Sequence, residues 1–188
     1  MLKSIEEFGT YVEITGFKNA KIRNSQKFLE SVNKEKPYGV EVQFFDASLV
    51  ATWQHLYFAA LDALTAFDSK ENISKSIAME TLLYASGERQ ITRATERMGI
   101  KPSTSDVAVL IVGKEPKQIQ STFQVTSRNI GAQHDEKVLE LSKSKKEKIR
   151  EAFNISETEL QTAMEKDDLD KALVDLIIER MALLATER

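Results

Sequence analysis

A histidine and a carboxylate offer the first possibility for chemistry in this chain. The sequence holds two histidines, and His55 stands seven residues before Asp62. Seven residues make about two helical turns, which would place both side chains on one face of a helix. A histidine held by a carboxylate is a common acid–base arrangement. The pair defines one hypothesis, a small-molecule enzyme, against the alternative that His55 is a structural or interface residue.

Other kinds of catalytic or metal site lack the residues they need. The chain has no cysteine, which excludes thiolate zinc sites, iron–sulfur clusters and cysteine nucleophiles. Gly113-Lys114 follows an apolar run, but the second glycine and the Ser/Thr of a phosphate-binding loop are absent. No Gly-x-Gly-x-x-Gly or Gly-x-Ser-x-Gly motif occurs. We therefore expect a binding protein with no catalytic residues, no cofactor and no metal.

Length and composition place these residues in one globular domain. The chain has 188 residues, of which 41 % are hydrophobic and 29 % charged. No apolar run reaches the roughly 20 residues that a membrane-spanning helix needs, and the first residues do not resemble a signal peptide. We expect a single domain over residues 1–188, located in the cytoplasm and without membrane contact.

Hydrophobic periodicity predicts the elements that position the candidate residues. Alternating patterns predict strands, and the apolar run at 106–112 predicts a central strand covered on both faces. The predicted strands are 11–17, 40–45, 106–112 and a short strand at 138–141. The predicted helices are 25–34, 49–67, 72–84, 88–98, 115–129, 143–153, 156–164 and 168–187. The fold class is mixed α/β, with a small central sheet flanked by helices and a long C-terminal helix.

The charge is distributed unevenly. The net charge is −3, yet residues 17–36 carry six basic and two acidic side chains, and residues 151–188 carry four basic and ten acidic ones. Arg89, Arg93 and Arg97 recur every four residues and are expected to form one helical stripe. These basic segments are either ordinary solvated faces or a surface for a polyanion such as RNA.

The last helix has more apolar residues than one buried face requires. One stripe runs through 169, 173, 176 and 183, and a second through 174, 177, 178, 181, 184 and 185. A surface helix needs only one such stripe to pack on its own core. The sequence leaves two alternatives open: a helix buried inside this domain, or a helix with one face covered by a protein partner.

Two motifs resemble a known family. They are Asp46-Ala47 with Val50-Ala51 and His55 at the start of the long helix, and Glu80-x-Leu82 with Ala85-Ser86-Gly87-x-Arg89-Gln90-Ile91. Together they resemble the small regulatory subunit of the KEOPS complex, the PRPK-binding protein family. The resemblance extends from about Tyr11 to the C-terminus, and the Ala-Ser-Gly-x-Arg-Gln-Ile stretch is its most specific part.

The resemblance implies a role in tRNA modification. KEOPS installs the threonylcarbamoyl group on the adenosine beside the anticodon of tRNAs that read codons beginning with A. The regulatory subunit is not catalytic: it binds the N-lobe of the kinase-like ATPase subunit and, in archaea, also the 3′ CCA end of tRNA. The threonylcarbamoyl transferase subunit would be an indirect partner. The family fold is a mixed α/β domain with helices packed on a central sheet.

The resemblance also implies roles for residues of this chain. Lys18 and Lys21 match a basic segment of the family, and Arg89 and Gln90 match its Arg-Gln pair. The predicted tRNA-binding residues, with their basic neighbours, are Lys18, Lys21, Arg23, Arg89, Gln90 and Arg93. The C-terminal helix matches the element that contacts the kinase, and its predicted interface residues are Leu173, Ile177, Ile178, Met181 and Leu184. The alternatives are the His55/Asp62 enzyme and a protein-only scaffold that does not contact RNA.

Overall fold

The central sheet is antiparallel throughout and has five strands. We describe a computed structural model of the chain that covers residues 1–186, with side chains through Leu184. The strands are β1 Leu2–Ile5, β2 Thr10–Lys18, β3 Glu41–Asp46, β4 Val107–Gly113 and β5 Gln133–His134. Their order is β1-β2-β4-β3, and β5 pairs with the last two residues of β2 on the edge that β1 leaves uncovered.

Helices cover both faces of this sheet. They are α1 Ser25–Glu35, α2 Trp53–Asp68, α3 Ile77–Ser86, α4 Ile91–Met98, α5 Pro116–Ile130, α6 Lys143–Ala152, α7 Glu157–Ala163 and α8 Leu169–Thr186. Helices α1 and α5 lie on one face, and the remaining helices lie on the other. Within residues 1–186, no helix has the length and apolar character required to cross a bilayer.

Strand β4 is the centre of both cores. All seven of its residues are buried, since β2 and β3 flank it and helices cover both faces. Ala108, Leu110 and Val112 face the larger cluster under α2 and α3, while Val109 and Ile111 face the cluster under α1 and α5. This confirms the predicted central strand, and the mixed α/β class with a long C-terminal helix is confirmed with it.

The predicted strand at 138–141 is wrong. Residues Glu136–Leu139 form a 3-10 turn, started by the Asp135 carboxylate, which accepts a hydrogen bond from the Lys137 backbone N–H. The turn packs directly on β2 at Gly16, where a Cβ atom would lie 2.2 Å from Val138 Cγ2. Glycine is therefore required at position 16 by close contact. The sequence pattern also did not predict β1.

Helix boundaries differ from the prediction where side chains cap them. The Ser76 hydroxyl accepts from the Met79 backbone N–H, so α3 begins at Ile77 and not at residue 72. Helix α7 begins with a capping box, in which Ser156 and Glu159 each bond to the other's backbone N–H. The C-terminal helix is described through Thr186, and the predicted extension to Glu187 lies outside the described residues.

Glu80, the first residue of the second family-like motif, is a structural anchor. Its side chain is buried, and its carboxylate accepts backbone N–H bonds from Ile73 at 3.0 and 3.1 Å and from Ser74 at 2.6 Å. These bonds hold the non-helical segment before α3 against the helix. The carboxylate supplies only acceptors, which match the N–H donors around it.

We expect Glu80→Gln to lower the free energy of unfolding by roughly 2 kcal/mol, because the amide NH₂ group would face backbone donors. Urea denaturation followed by circular dichroism measures the change. Glu115→Gln is the matched control, since Glu115 is exposed and its side chain does not cap α5. Equal midpoints for the two variants would contradict an anchoring role for Glu80.

Candidate functional site

The loop between α3 and α4 presents the Arg-Gln pair to solvent. Gly87 ends α3 in the left-handed conformation at φ 64°, and its N–H bonds to the Leu83 and Tyr84 carbonyls. The chain then turns outward, and both Arg89 and Gln90 are exposed. Gln90 is the N-cap of α4, so its side chain stands at the start of that helix. The loop therefore displays a guanidinium and an amide at a sharp turn.

Arg97 fixes the backbone of this loop. Its Nη1 donates to the Ser86 carbonyl at 2.9 Å, and its Nη2 lies 2.6 Å from the Glu88 carboxylate. Its guanidinium also lies over the Phe153 ring at 5.9 Å. Arg97 thus ties the loop to α4 and to the end of α6.

The predicted three-arginine stripe is wrong in two respects. Helix α4 begins at Ile91, so Arg89 precedes the helix, and Arg97 is directed toward Ser86 and Glu88. Arg93 is exposed on the first turns of α4. The surface that remains is the exposed set Arg89, Gln90 and Arg93, which we call the Arg-Gln loop.

The basic segment after β2 lies at another part of the molecule. Lys18 is the last residue of β2, and Lys21 and Arg23 are exposed between the buried side chains of Ala20 and Ile22. The Ala20 N–H donates to the Ser105 carbonyl at 2.7 Å, which pins the segment beside the start of β4.

The two basic groups lie on different elements of the fold. Lys18, Lys21 and Arg23 lie at and after the end of β2, whereas Arg89 and Gln90 precede α4. At the end of α4, Gly99 pairs with Phe45, close to the strand ends that hold Lys18 and Val107. Helix α4, about 12 Å long, therefore connects the Arg-Gln loop to that end of the sheet.

The predicted kinase-interface residues are mostly inside the protein. The side chains of Leu173, Ile177, Met181 and Leu184 are buried in the larger core, and only Ile178 is partly exposed. The four buried positions form the stripe by which α8 packs on α2, α3 and α7. A buried side chain offers no surface to a partner, so the partner-facing assignment of these four residues is corrected.

The exposed side of α8 borders an apolar groove. The groove has a volume of about 680 Å³ and lies between the start of α2, the segment before α6 and the first half of α8. We call it the α2/α8 groove, and its apolar lining consists of Trp53, Phe58, Leu139, Leu141, Val174 and Ile178. Phe58 is 37 % exposed, although it is a large aromatic residue.

The rim of the α2/α8 groove is mainly acidic. Asp168, Asp170, Asp175 and Glu140 line it, with Lys171 as the basic residue. The Lys171 ammonium is 2.6 Å from Asp175 and binds it in an i,i+4 pair. Thr52 Oγ1 and Gln54 Oε1 also belong to the groove residues, and neither has a hydrogen-bond partner in the part of the chain that the structure describes.

His55 is a core residue. Its side chain is fully buried, its Nδ1 accepts from the Ala51 N–H at 3.2 Å, and its Nε2 donates to the Ala85 carbonyl at 2.8 Å. Burial lowers the pKa of His55 to about 4. Asp62 lies two turns further along α2, and burial raises its pKa to about 6. Because the His55 ring is fully buried and both of its nitrogens bond to backbone, it does not offer the accessible acid–base group that the His55/Asp62 enzyme hypothesis requires.

Comparison with known proteins agrees with the motifs. The family model described as kinase binding protein CGI-121 matches residues 17–185. The chain belongs to the CGI-121 family. A relative, regulatory protein Cgi121 of Methanocaldococcus jannaschii, is 34 % identical over 142 residues, which cover 76 % of this chain and 83 % of the relative.

The CGI-121 family assignment gives the motif residues a structural meaning. The Ala85 carbonyl of the second motif accepts a hydrogen bond from His55 of the first motif. This bond joins the start of α2 to the end of α3. Gly87 provides the turn, and Glu80 anchors the preceding segment. Much of the family-like pattern in this chain therefore shapes the Arg-Gln loop.

The groove aromatic that sequence reasoning missed is Phe58. Phe58 lies off the apolar stripe that predicts this helix, which runs through Leu49, Trp53, Leu56, Ala60, Leu64 and Phe67. Its signal was present in the sequence, since a phenylalanine outside the core stripe of an amphipathic helix projects from the surface.

Proposed function

We propose that this CGI-121 family chain is a non-catalytic KEOPS subunit that binds the kinase-like ATPase subunit and brings tRNA to the complex by its 3′ CCA end. The observation that carries the proposal is the presence of two distinct surfaces on one chain. The α2/α8 groove lies along the first half of α8, whereas Gly87 of the Arg-Gln loop lies beside Leu183 and Leu184 near its end.

The α2/α8 groove is the surface that we assign to the kinase-like ATPase. A concave apolar centre with aromatic residues and a charged rim is the usual anatomy of a protein interface. Trp53, Phe58 and Ile178 supply the apolar centre, and the acidic rim favours a partner with basic residues around its contact.

The Arg-Gln loop is the surface that we assign to the tRNA end. A guanidinium can fork onto phosphate or stack on an unpaired base, and a glutamine amide can bond to a base edge. Single-stranded RNA ends are recognised in this way because their bases are accessible. Arg89, Gln90 and Arg93 are exposed in the loop, and Arg97 fixes its backbone.

The basic segment at Lys18, Lys21 and Arg23 is assigned to the RNA backbone. These side chains are exposed at the end of β2, away from the Arg-Gln loop. Phosphate contacts of this type add affinity that does not depend on base identity and that weakens with salt. The net charge of −3 does not oppose this role, because the acidic residues concentrate after residue 150.

We expect Arg89→Ala to weaken tRNA binding by about tenfold, because one stacking or bidentate contact is removed. Lys21→Glu is expected to weaken binding by a similar factor and to reduce its salt dependence. Filter binding at low salt, with intact tRNA and with tRNA lacking the CCA end, measures both effects. The loss in Arg89→Ala should be smaller for the shortened tRNA.

Arg128→Ala is the matched control for an arginine on another face. Arg128 is exposed on α5 and pairs with Glu35 at 2.5 Å. Unchanged tRNA affinity in both Arg89→Ala and Lys21→Glu would contradict the RNA half of the proposal and leave a protein-only scaffold.

A further inference from the structure

A polar cavity lies where β2 ends, β4 begins and α6 starts. Its volume is about 290 Å³, and the 3-10 turns at Ala47–Leu49 and Glu136–Leu139 contribute to its walls. The cavity shares Glu140 with the rim of the α2/α8 groove and Lys18 with the basic segment assigned to RNA. Neither proposed role uses it as a pocket. Its volume is at the lower end of the range for small-molecule sites.

Four lysines line this cavity. They are Lys18 from β2, Lys137 from the turn before α6, and Lys145 and Lys148 from α6. The structure shows no ion pair for any of them among residues 1–186. Three elements thus contribute lysines to the lining of one small space. The lining also holds Asp106, Asp135 and Glu140, so its lysines outnumber its carboxylates by four to three, a balance that favours an anion.

Lys145 is the unusual member of the group. It is only 9 % exposed, and its Nζ donates to the Val138 carbonyl at 2.9 Å and to the Glu140 carbonyl at 3.1 Å. An ammonium has three donor hydrogens, so one remains beyond these two bonds. Burial lowers the pKa of Lys145 to about 8, against the raising effect of Asp106, Asp46 and Glu140. These acids act on the ammonium from beyond salt-bridge distance, so a bound anion would supply a closer counter-charge.

Hydroxyl groups at the start of α6 complete the polar lining. Ser142 and Ser144 line the cavity and lie 3.2 Å apart through their Oγ atoms, and Ser48 lines the opposite wall. Serine hydroxyls and ammonium groups are the side chains that hold phosphate oxygens, because each oxygen accepts several hydrogen bonds. The combination favours a phosphate over a carboxylate or a simple halide.

Two of the three carboxylates in the lining accept hydrogen bonds from neighbouring residues, and the third is exposed to solvent. Asp106 Oδ1 accepts from the Asn19 N–H and the Ser105 hydroxyl, and Asp135 Oδ1 accepts from the Lys137 N–H. Glu140 is exposed at the rim. Carboxylates at one end of a phosphate pocket can accept hydrogen bonds from the hydroxyls of a sugar.

We propose that this cavity binds the phosphate of a sugar phosphate or nucleoside monophosphate, with the lysines around the phosphate and the carboxylates toward the sugar. The phosphate can belong to a free small molecule or to an RNA chain, and the chemistry of recognition is the same. The proposal does not depend on the proposed tRNA role, since a free phosphate ester would bind without RNA.

The test is an NMR titration of the full chain, labelled with ¹⁵N, with adenosine monophosphate, inorganic phosphate and adenosine. We expect saturable shifts at amides of Ser142 to Lys148 with the monophosphate, weaker saturation with inorganic phosphate and none with adenosine. Lys148→Gln is expected to weaken binding of the monophosphate about tenfold, because one charge-assisted contact is lost. Lys143→Gln, on the same helix but outside the cavity lining, should bind like the natural chain.

Lys145 is buried, so a variant such as Lys145→Met can fail to fold. Lys148 is exposed, and its replacement tests the site in a folded chain. Absence of saturation with every phosphate probe would overturn the proposal. Equal losses in Lys148→Gln and Lys143→Gln would overturn it as well, because only overall charge would then matter. Added tRNA separates the sources: displacement of the bound monophosphate assigns the pocket to an RNA phosphate, and simultaneous binding assigns it to a free phosphate ester.

Discussion

Replacing Ile178 with glutamate is expected to weaken binding of the kinase-like ATPase partner by about 100-fold while the protein stays folded. Ile178 is partly exposed and lines the α2/α8 groove beside Phe58. A glutamate there would place a charge in the apolar centre of the proposed interface, where a truncated contact commonly costs 2 kcal/mol or more. The acid would also add to a rim already lined by Asp168, Asp170 and Asp175.

Met181→Glu, three residues further along α8, is expected to act in a different way. The Met181 side chain is fully buried in the larger core. A carboxylate at that position has no water and no designed partner, so we expect a loss of roughly 4 kcal/mol or more in the free energy of unfolding. Partner binding would then be lost because the chain unfolds, and not because an interface is changed.

Two measurements separate these mechanisms. Co-purification with the ATPase subunit reports the interaction, and thermal unfolding of the isolated chain reports the fold. Phe58→Glu should behave like Ile178→Glu, since both residues line the α2/α8 groove. Tyr38→Glu is the control for a new acid at an exposed apolar position, because Tyr38 is fully exposed outside this groove. A folded Ile178→Glu variant that still co-purifies with the ATPase subunit would move the interface away from this groove.

The contrast between Ile178 and Met181 shows what the sequence of α8 could not decide. The helix is apolar on more than one side, so periodicity alone permits several core stripes. The buried stripe follows 173, 177, 181 and 184, with spacings of four, four and three. Which stripe faces inward depends on where α2, α3 and α7 lie, and that is a tertiary property with no local signal.

Local signals were sufficient for most of the fold. The run of β-branched and leucine residues in β4 predicted its central place, because only a strand covered on both faces can be apolar at every position. The 138–141 segment was predicted incorrectly, because its three apolar residues fit a strand and a turn equally well. The contact of Val138 with Gly16 decided between them, and those residues are distant in sequence.

The candidate site was predictable to the extent that it rests on motifs. The Arg-Gln loop is exposed where the family-like stretch indicated it, since Gly87 specifies the turn. The role of Arg97 was not predictable, because its regular spacing from Arg93 suggested a shared solvent face. Its bonds to Ser86 and Glu88 depend on the angle between α3 and α4.

The buried histidine gives the second large prediction, a dependence of stability on pH. His55 has a pKa of about 4 in the folded chain, and the ordinary value for histidine is about 6.5. Its Nδ1 faces the Ala51 N–H, so a proton added there would oppose a donor with a donor. Lys145 adds a repulsive positive charge, whereas the Ala85 carbonyl favours the charged ring.

Between about pH 6.5 and pH 4, the unfolded chain binds more protons at His55 than the folded chain does. The free energy of unfolding therefore falls as the pH falls through this window, by roughly 3 kcal/mol for a difference of about 2.5 pKa units. Above pH 6.5 this stabilisation is fully present. Asp62 acts in the opposite direction, because its pKa is raised to about 6 and its burial becomes less unfavourable as it gains a proton.

His55 and Asp62 have opposite effects on the free energy of unfolding in one pH range. The difference between the natural chain and a His55 variant therefore isolates the effect of His55. We expect the stability of the natural chain minus that of His55→Gln to decrease by roughly 3 kcal/mol from pH 7 to pH 4. Urea denaturation at several pH values gives both curves, and Asp62 contributes equally to each.

His134→Gln is the control for removal of a histidine, because His134 is exposed on β5. Parallel stability curves for the natural chain and His55→Gln would contradict the burial of a neutral His55. If the dependence of unfolding free energy on pH is reduced only in His55→Gln, the His55 ring is neutral in the folded chain. The neutral ring then donates the hydrogen bond that links α2 to the Ala85 carbonyl. The link matters for function, because Ala85 lies two residues before Gly87, where the chain turns toward the proposed tRNA-binding loop.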